Sequence, residues 1–210
     1  MSTASIDFTW QQLGPLTDAV LASLRAEASE AFRRREKRET PPGTVRQFAD
    51  GSLMSAARSS TADPGPVLAG LLHDSALLAE LRTVTAMPGL NPTRASYCFY
   101  GRDDYLGLHR DVRACGVTLL LELSDCLEPL TVGVDLASFS NDDLVRFATE
   151  NGSLPSRTGV AAQVPRDRFA VLDGRKFPHW RTPHRCDRTG TVITLCFFDG
   201  FVTRTSGAVL

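Results

Sequence analysis

The hydrophobic period of this 210-residue chain changes once, near residue 95, and that change limits the fold more than any other feature. Before it, apolar residues recur at helical spacing. After Gly14-Pro15 they fall at Leu16, Val20, Leu21, Leu24, Ala28 and Phe32, the i, i+4 pattern of one helix face. Thr17 or Asp18 predicts the start and Pro41-Pro42-Gly43 the stop. A second helical region runs from Val67 to Thr85, apolar at Leu68, Leu71, Leu72, Leu77, Leu78 and Leu81, with a restart at Asp74-Ser75. Residues 43–66 between them are rich in Gly, Ser, Ala and Pro and read as a long loop.

Beyond residue 95 the runs shorten. Ala95–Tyr100, Cys115–Leu123, Leu130–Val134, Arg168–Leu172 and Thr191–Phe198 are rich in β-branched, aromatic and aliphatic residues, and Gly, Asp and Pro separate them. This is the signature of an antiparallel β sandwich or barrel. One helix interrupts it: Ser140-Asn-Asp-Asp143 is a capping-box start and Asn151-Gly152 a stop. The expectation is a single mainly β domain over 1–210, with 1–91 as helical support and loop, a β core over 92–210, and an inserted helix at about 140–150. Helices at one end of the chain flank the sheet rather than form a separate domain.

Composition excludes several classes. Hydrophobic residues make up 42% and charged residues 22%, and 23 Lys+Arg against 24 Asp+Glu leave a charge of -1. A disordered chain, a collagen and a strongly basic nucleic-acid binder do not look like this. No apolar run approaches the ~18 residues of a membrane span, which argues against a membrane partner. Met1 to Asp7 lacks a basic region followed by an apolar one, so no secretory signal is expected and a cytoplasmic location is. The five cysteines, Cys98, Cys115, Cys126, Cys186 and Cys196, are odd in number and form no Cys-x-x-Cys, which predicts reduced thiols. The basic stretch Arg33, Arg34, Arg35, Lys37 and Arg38 reads as a solvated helix end whose cations suit the helix dipole.

Four histidines remain to be weighed: His73, His109, His179 and His184. His73 lies beside an apolar helical stripe, far from a second ligand. His109 and Asp111 lie two apart in Tyr100-Gly-Arg-Asp-Asp-Tyr-Leu-Gly-Leu-His109-Arg-Asp111. On an extended strand both side chains face one side, so an imidazole and a carboxylate reach one point. His179 and His184, in Phe177-Pro-His179-Trp-Arg-Thr-Pro-His184-Arg-Cys-Asp-Arg188, are the candidates for a third ligand. Two histidines and one carboxylate make the facial triad of non-haem Fe(II) oxygenases, which leaves the opposite face open. Zinc fits the same donors.

The sequence resembles the 2-oxoglutarate- and Fe(II)-dependent dioxygenases over about residues 92–200. The run Tyr100 to His109-x-Asp111 is similar to the first half of the family pattern. Arg168-Phe-Ala-Val-Leu-Asp-Gly174 followed by Pro178-His179-Trp180 and Pro183 is similar to the second. The resemblance implies a double-stranded β-helix, a jelly-roll or cupin-like core. It implies Fe(II), 2-oxoglutarate and O2, with His109, Asp111 and His179 as metal ligands. Arg188, nine residues after His179, is implied to bind the far carboxylate of 2-oxoglutarate, with Arg185, Arg94 and Arg204 as backups. Tyr100 is implied to touch the cosubstrate. On this reading His184 is a loop histidine near the site, contacting substrate. The family pattern departs at Gly190, where a hydroxyl residue usually follows the arginine by two. An intact Asp111 implies hydroxylation or a related oxidation of an unactivated C–H bond, with release of succinate and CO2.

Two other readings stand beside this one. Small members of the family dealkylate nucleic acids, but a charge of -1 and Cys98 two residues before Tyr100 argue against a nucleic-acid partner. A jelly roll that merely holds a metal or ligand predicts no succinate production. A small molecule, such as an amino acid or a biosynthetic intermediate, is the expected substrate. The 43–66 loop, the 101–105 turn and the 135–165 region are expected to line its pocket, with Arg46, Arg58, Arg113, Asn141 and Arg157 among the residues supplied.

Overall fold

A computed structural model describes residues 10–155 and 158–200. Its helices follow the expected signals. Helix α1, Asp18–Arg33, starts where the Thr17 side chain accepts the Val20 N–H. Helices α2, Pro66–Leu72, and α3, Ser75–Thr85, are separated by Asp74, whose carboxylate caps the second. Helix α4, Asn141–Asn151, begins with the capping box of Ser140 and Asp143. No described helix is long and apolar enough to cross a membrane.

Eleven strands among the described residues form one antiparallel, curled sheet. Strands β4 (Leu90–Tyr100), β6 (Val117–Glu122), β9 (Arg168–Leu172) and β11 (Gly190–Asp199) run side by side, with β1 (Gln11–Pro15) at their edge. Strands β5 (Tyr105–Arg110), β10 (His179–Arg181), β7 (Leu130–Val132) and β8 (Val160–Ala162) form the opposing group. Strand β3 (Leu53–Ala62) joins the two. Its residues 60–62 pair with β4 and its residues 53–58 with β5. Strand β2 (Glu36–Gln47) lies outside β3. This is the expected mainly β, jelly-roll core with flanking helices.

Alternation along the strands sorts the side chains. On β11, Ile193, Leu195 and Phe197 pack with Tyr97, Phe99, Leu119, Leu121 and Phe169 into a core covered by α1, α2 and α3. The intervening Val192, Thr194 and Cys196 line a cavity between the two strand groups. On the opposing group, Leu108 and Trp180 pack under α4 with Leu144 and Ala148. Their neighbours His109, His179 and Arg181 line the cavity. Helices outside and a lined cavity inside follow from one rule applied to both strand groups.

Three expectations are corrected. Residues 43–66 are not a long loop: they hold the end of β2, a turn and all of β3. Strand β3 is buried on both faces by small residues, Ser55, Ala56, Ala57, Ser59 and Ser60, so it shows no polar–apolar alternation. The basic stretch is not all helix end, since β2 begins at Glu36 and its Lys37 and Arg38 line the cavity. The cysteines are not all free: Cys115 and Cys196 are joined, with Cα atoms 4.5 Å apart. The pairing of Thr118 with Cys196 across β6 and β11 brings them together over 81 residues, a separation that carries no local signal.

Candidate metal centre

Two strand registers build the centre. His109 on β5 stands directly opposite His179 on β10, and their rings lie 4.0 Å apart. Asp111 follows the end of β5, and its N–H donates to the Gly174 carbonyl at 3.0 Å. The Nε2 atoms of His109 and His179 lie 3.5 and 3.7 Å from the same oxygen, Asp111 Oδ1. The other oxygen, Oδ2, accepts from Thr118 Oγ1 at 2.9 Å.

The tautomers follow from the backbone. His109 Nδ1 faces the Gly107 carbonyl and His179 Nδ1 the Phe177 carbonyl, each at 3.0 Å. A carbonyl only accepts, so Nδ1 carries the proton on both rings and Nε2 keeps its lone pair. Burial, and then the neighbouring His109, holds the His179 ring down at about 4, so it is a neutral ligand. Burial pushes the Asp111 carboxyl up, but His179, His109 and Thr118 more than offset this, and it stays below its ordinary value. Two lone pairs and one carboxylate oxygen converge from one side. Ligands about 2.1 Å from one ion at right angles sit about 3 Å apart, so each imidazole nitrogen, now 3.5 or 3.7 Å from Oδ1, needs to close on it by well under 1 Å. The donor set fits a divalent ion with open positions.

The cavity has a volume of about 530 Å³. The triad, Tyr100 and Arg181 line it, as do Leu120, Leu130, Leu172 and Val192. Tyr100 is buried, and burial pushes its hydroxyl up to about 12, so it is a neutral donor. Arg181 is 2% exposed and its guanidinium sits 5.3 Å from the Tyr100 ring. It donates to the Glu128 carbonyl, while its Nε has no partner. The Tyr100 hydroxyl and, from further off, the buried Glu122 carboxylate attract it, but among the described residues no carboxylate is in ion-pair contact with it. A buried cation in this position is a receptor for an anionic group.

The structure therefore brings His109, Asp111, His179 and Tyr100 together and leaves Arg188 out. Arg188 pairs with Asp125 at 2.9 Å, its side chain 67% exposed. The closing strand β11 begins at Gly190 and presents Val192, Thr194 and Cys196 to the cavity. The loop before it carries Arg188 to the surface. Arg185 does not line the cavity, Arg94 does, and Arg204 lies outside the described residues. His184 is not a cavity residue either: it is fully buried in the loop between β10 and β11. Among the described residues of the expected pocket segments, only 43–66 contributes, through Phe48, Ser52, Leu53, Met54, Ala57, Ser59 and Thr61. Arg46, Arg58, Arg113 and Asn141 do not line the cavity, and Arg157 lies outside the described residues. The sequence reading missed Arg181. The signal was present, since Arg181 lies two residues after His179 on one short strand and shares its face.

Comparison with solved structures gives the fold its name. HygX from Streptomyces hygroscopicus, with nickel, 2-oxoglutarate and hygromycin B bound, superposes with a TM-score of 0.62 at 17% identity, covering 90% of this chain and 81% of that one. The fold is that of the 2-oxoglutarate- and iron-dependent oxygenases. The non-haem, α-ketoglutarate-dependent epimerase SnoN of nogalamycin biosynthesis superposes with a TM-score of 0.62 at 12% identity, over 92% of this chain and 83% of that one. A Pseudomonas putida prolyl-4-hydroxylase does so at 0.56 and 14%, over 91% and 93%. No family model matches the sequence, and no curated protein matches it significantly.

Proposed function

We propose that the protein is an Fe(II)- and 2-oxoglutarate-dependent oxygenase that oxidises, most simply by hydroxylation, an unactivated C–H bond of a small molecule. The observation that supports this best is the convergence of His109 Nε2, His179 Nε2 and Asp111 Oδ1 in the lining of a cavity that also holds a buried guanidinium outside any ion pair. In this reading His109, Asp111 and His179 hold the iron. Arg181, with the Tyr100 hydroxyl, takes the carboxylate of 2-oxoglutarate remote from the metal, in place of Arg188. Bound iron and 2-oxoglutarate supply the oxidising chemistry, with succinate and CO2 as products. The chain's own part is to orient: Gly107 and Phe177 carbonyls aim the imidazoles, Thr118 aims the carboxylate, and the apolar lining keeps water away. Lys37, Arg38 and Arg94 line the same cavity, which favours a substrate bearing an anionic group.

Anaerobic addition of Fe(II) and then 2-oxoglutarate should produce the weak visible charge-transfer band of the ternary complex, and His179→Ala should abolish it. Arg181→Met should raise the 2-oxoglutarate concentration needed by about 10- to 100-fold, the worth of a charged hydrogen-bond pair, while sparing iron binding. Arg188→Ala should leave that concentration unchanged. A wild-type protein with no band overturns the activity. An Arg188→Ala shift with a silent Arg181→Met returns the carboxylate to Arg188.

A further inference from the structure

The β10–β11 loop and the turn after β6 carry a second group of metal-ligating side chains that the oxygenase reading does not use. Cys126, His184 and Cys186 place two sulfurs and one imidazole nitrogen within 4.8 Å of one another. His184 is fully buried. Its Nε2 lies 2.8 Å from the Arg188 carbonyl, which can only accept, so Nε2 carries the ring proton. Its Nδ1 is therefore a bare lone pair, buried and without a partner. The Arg188 carbonyl also accepts from Cys126 Sγ at 3.8 Å, so one backbone oxygen orients both the imidazole and a thiol, as outer support does for metal ligands, and a metal here would be taken by the free Nδ1. The two cysteines are partly buried and free of disulfide.

We propose that Cys126, His184 and Cys186 form a zinc site, with a fourth position left to solvent. Tetrahedral zinc holds thiolate and imidazole donors about 3.5–3.8 Å apart, which the loops reach by a small closure. The donors also separate the two centres. Two thiolates and an imidazole select a soft or borderline ion such as zinc, whereas the His109, Asp111 and His179 set suits harder Fe(II). Zinc here would tie the 123–129 turn to the 182–189 loop. That loop already holds the turn between β4 and β5, through His184 N–H to the Asp104 carbonyl and Asp103 N–H to the His184 carbonyl, each at 2.8 Å. Tyr100 and Arg181 lie at the two ends of these segments, so the site would brace the part of the barrel from which both side chains project.

The test uses the full chain with the Cys115–Cys196 disulfide intact, the free cysteines kept as thiols by excluding oxygen, and Co(II) as a spectroscopic probe for zinc. Wild type should bind two equivalents, one of them giving an intense near-ultraviolet thiolate-to-cobalt band that an equivalent of Zn(II) removes. The band should persist in His109→Ala/His179→Ala and vanish in Cys126→Ser/Cys186→Ser, which should still bind one equivalent. A second measurement needs no variant: Zn(II) should slow alkylation of Cys126 and Cys186 by N-ethylmaleimide at least tenfold, read by peptide mass spectrometry. Absence of the thiolate band in wild type, its survival in the double serine variant, or equal alkylation with and without Zn(II) overturns the site. So does a Cys126–Cys186 disulfide that forms as readily with zinc as without it. None of these results bears on the iron site, whose test is the 2-oxoglutarate band.

Discussion

Gly174 shows how closely the backbone governs the carboxylate. A methyl group on it would fall 2.0 Å from Asp111 Oδ2 and 2.6 Å from Cγ, too close for either atom. The carboxylate is thus held between the backbone at 174 and the Thr118 hydroxyl, which leaves Oδ1 turned to the two imidazoles. Gly174→Ala should push the carboxylate off this position and weaken Fe(II) binding by about 10- to 100-fold, the usual effect of disturbing a ligand's support. The circular-dichroism spectrum should stay unchanged. Equal Fe(II) affinity in a competition titration would show that Asp111 is not a ligand. The convergence of His109, Asp111 and His179 was legible, because alternation along a strand places His109 beside Asp111 and few histidines competed for the third place. Arg181 obeys the same alternation relative to His179, but it was hidden by the expectation of an arginine about ten residues further on. Whether a loop brings Arg188 inward is a tertiary question that spacing cannot answer.

At the scale of elements, the β2–β3 pair was the least legible part of the fold. Pro41 and Pro42 stop a helix and also break a central strand, yet β2 pairs only with β3, and an edge strand tolerates proline. The register of this pair shifts between Thr40 and Val45, where the prolines and Gly43 fall. Asp50 closes the turn between the two strands. Its carboxylate accepts from Ser52 N–H, Ser52 Oγ and Arg113 N–H, at 3.0, 2.6 and 2.8 Å. The last of these fastens the turn to the segment just after Asp111. The Ser52 hydroxyl, then the Arg113 and Ser52 amides, hold the Asp50 carboxyl down at about 2, against an ordinary 3.8. The folded form thus favours the ionised carboxylate. Its contribution to stability is complete above pH 3.8 and is lost as the pH falls from there through about 2. In an NMR titration the Ser52 and Arg113 amide resonances should move together with a midpoint near 2, and Asp50→Ala should remove the transition. A midpoint at 3.8 would mean that the turn does not hold the hairpin.

At the scale of the molecule, the helices and the barrel meet through one carboxylate as well as through apolar packing. Glu27 on α1 is 8% exposed. It accepts from the first amides of α2, Val67 N–H at 2.7 Å and Leu68 N–H at 3.0 Å, and from the Tyr97 hydroxyl of β4 at 2.7 Å. Three donors from two layers converge on it, and α2 has no side-chain cap of its own at Gly65. Burial, and then the Glu27 carboxylate, pushes the Tyr97 hydroxyl above its ordinary value, so it remains a donor throughout the useful pH range. The periodicity of α1 marks Leu24, Ala28 and Phe32 as its packing face. It gives no sign that a glutamate shares that face, because the partners are 40 and 70 residues away. Glu27→Ala strands all three donors in a dry interface. Each hydrogen bond to a charged group is worth about 1.5–3 kcal/mol, so a loss of about 3 kcal/mol or more is expected. At about 2–4 °C per kcal/mol for a chain of this size, the melting temperature should fall by about 6–12 °C. Glu27→Gln should fall between the two, since its carbonyl still accepts while its amide faces donors. The candidate triad, carried by β5, β10 and the residue just after β5, lines the cavity and not the helix-covered core, so Fe(II) affinity in the folded variant should match wild type. A Glu27→Ala protein that melts with wild type would leave apolar contact alone holding the helical layer, and a lost Fe(II) affinity would mean that this layer sets the geometry of the barrel interior.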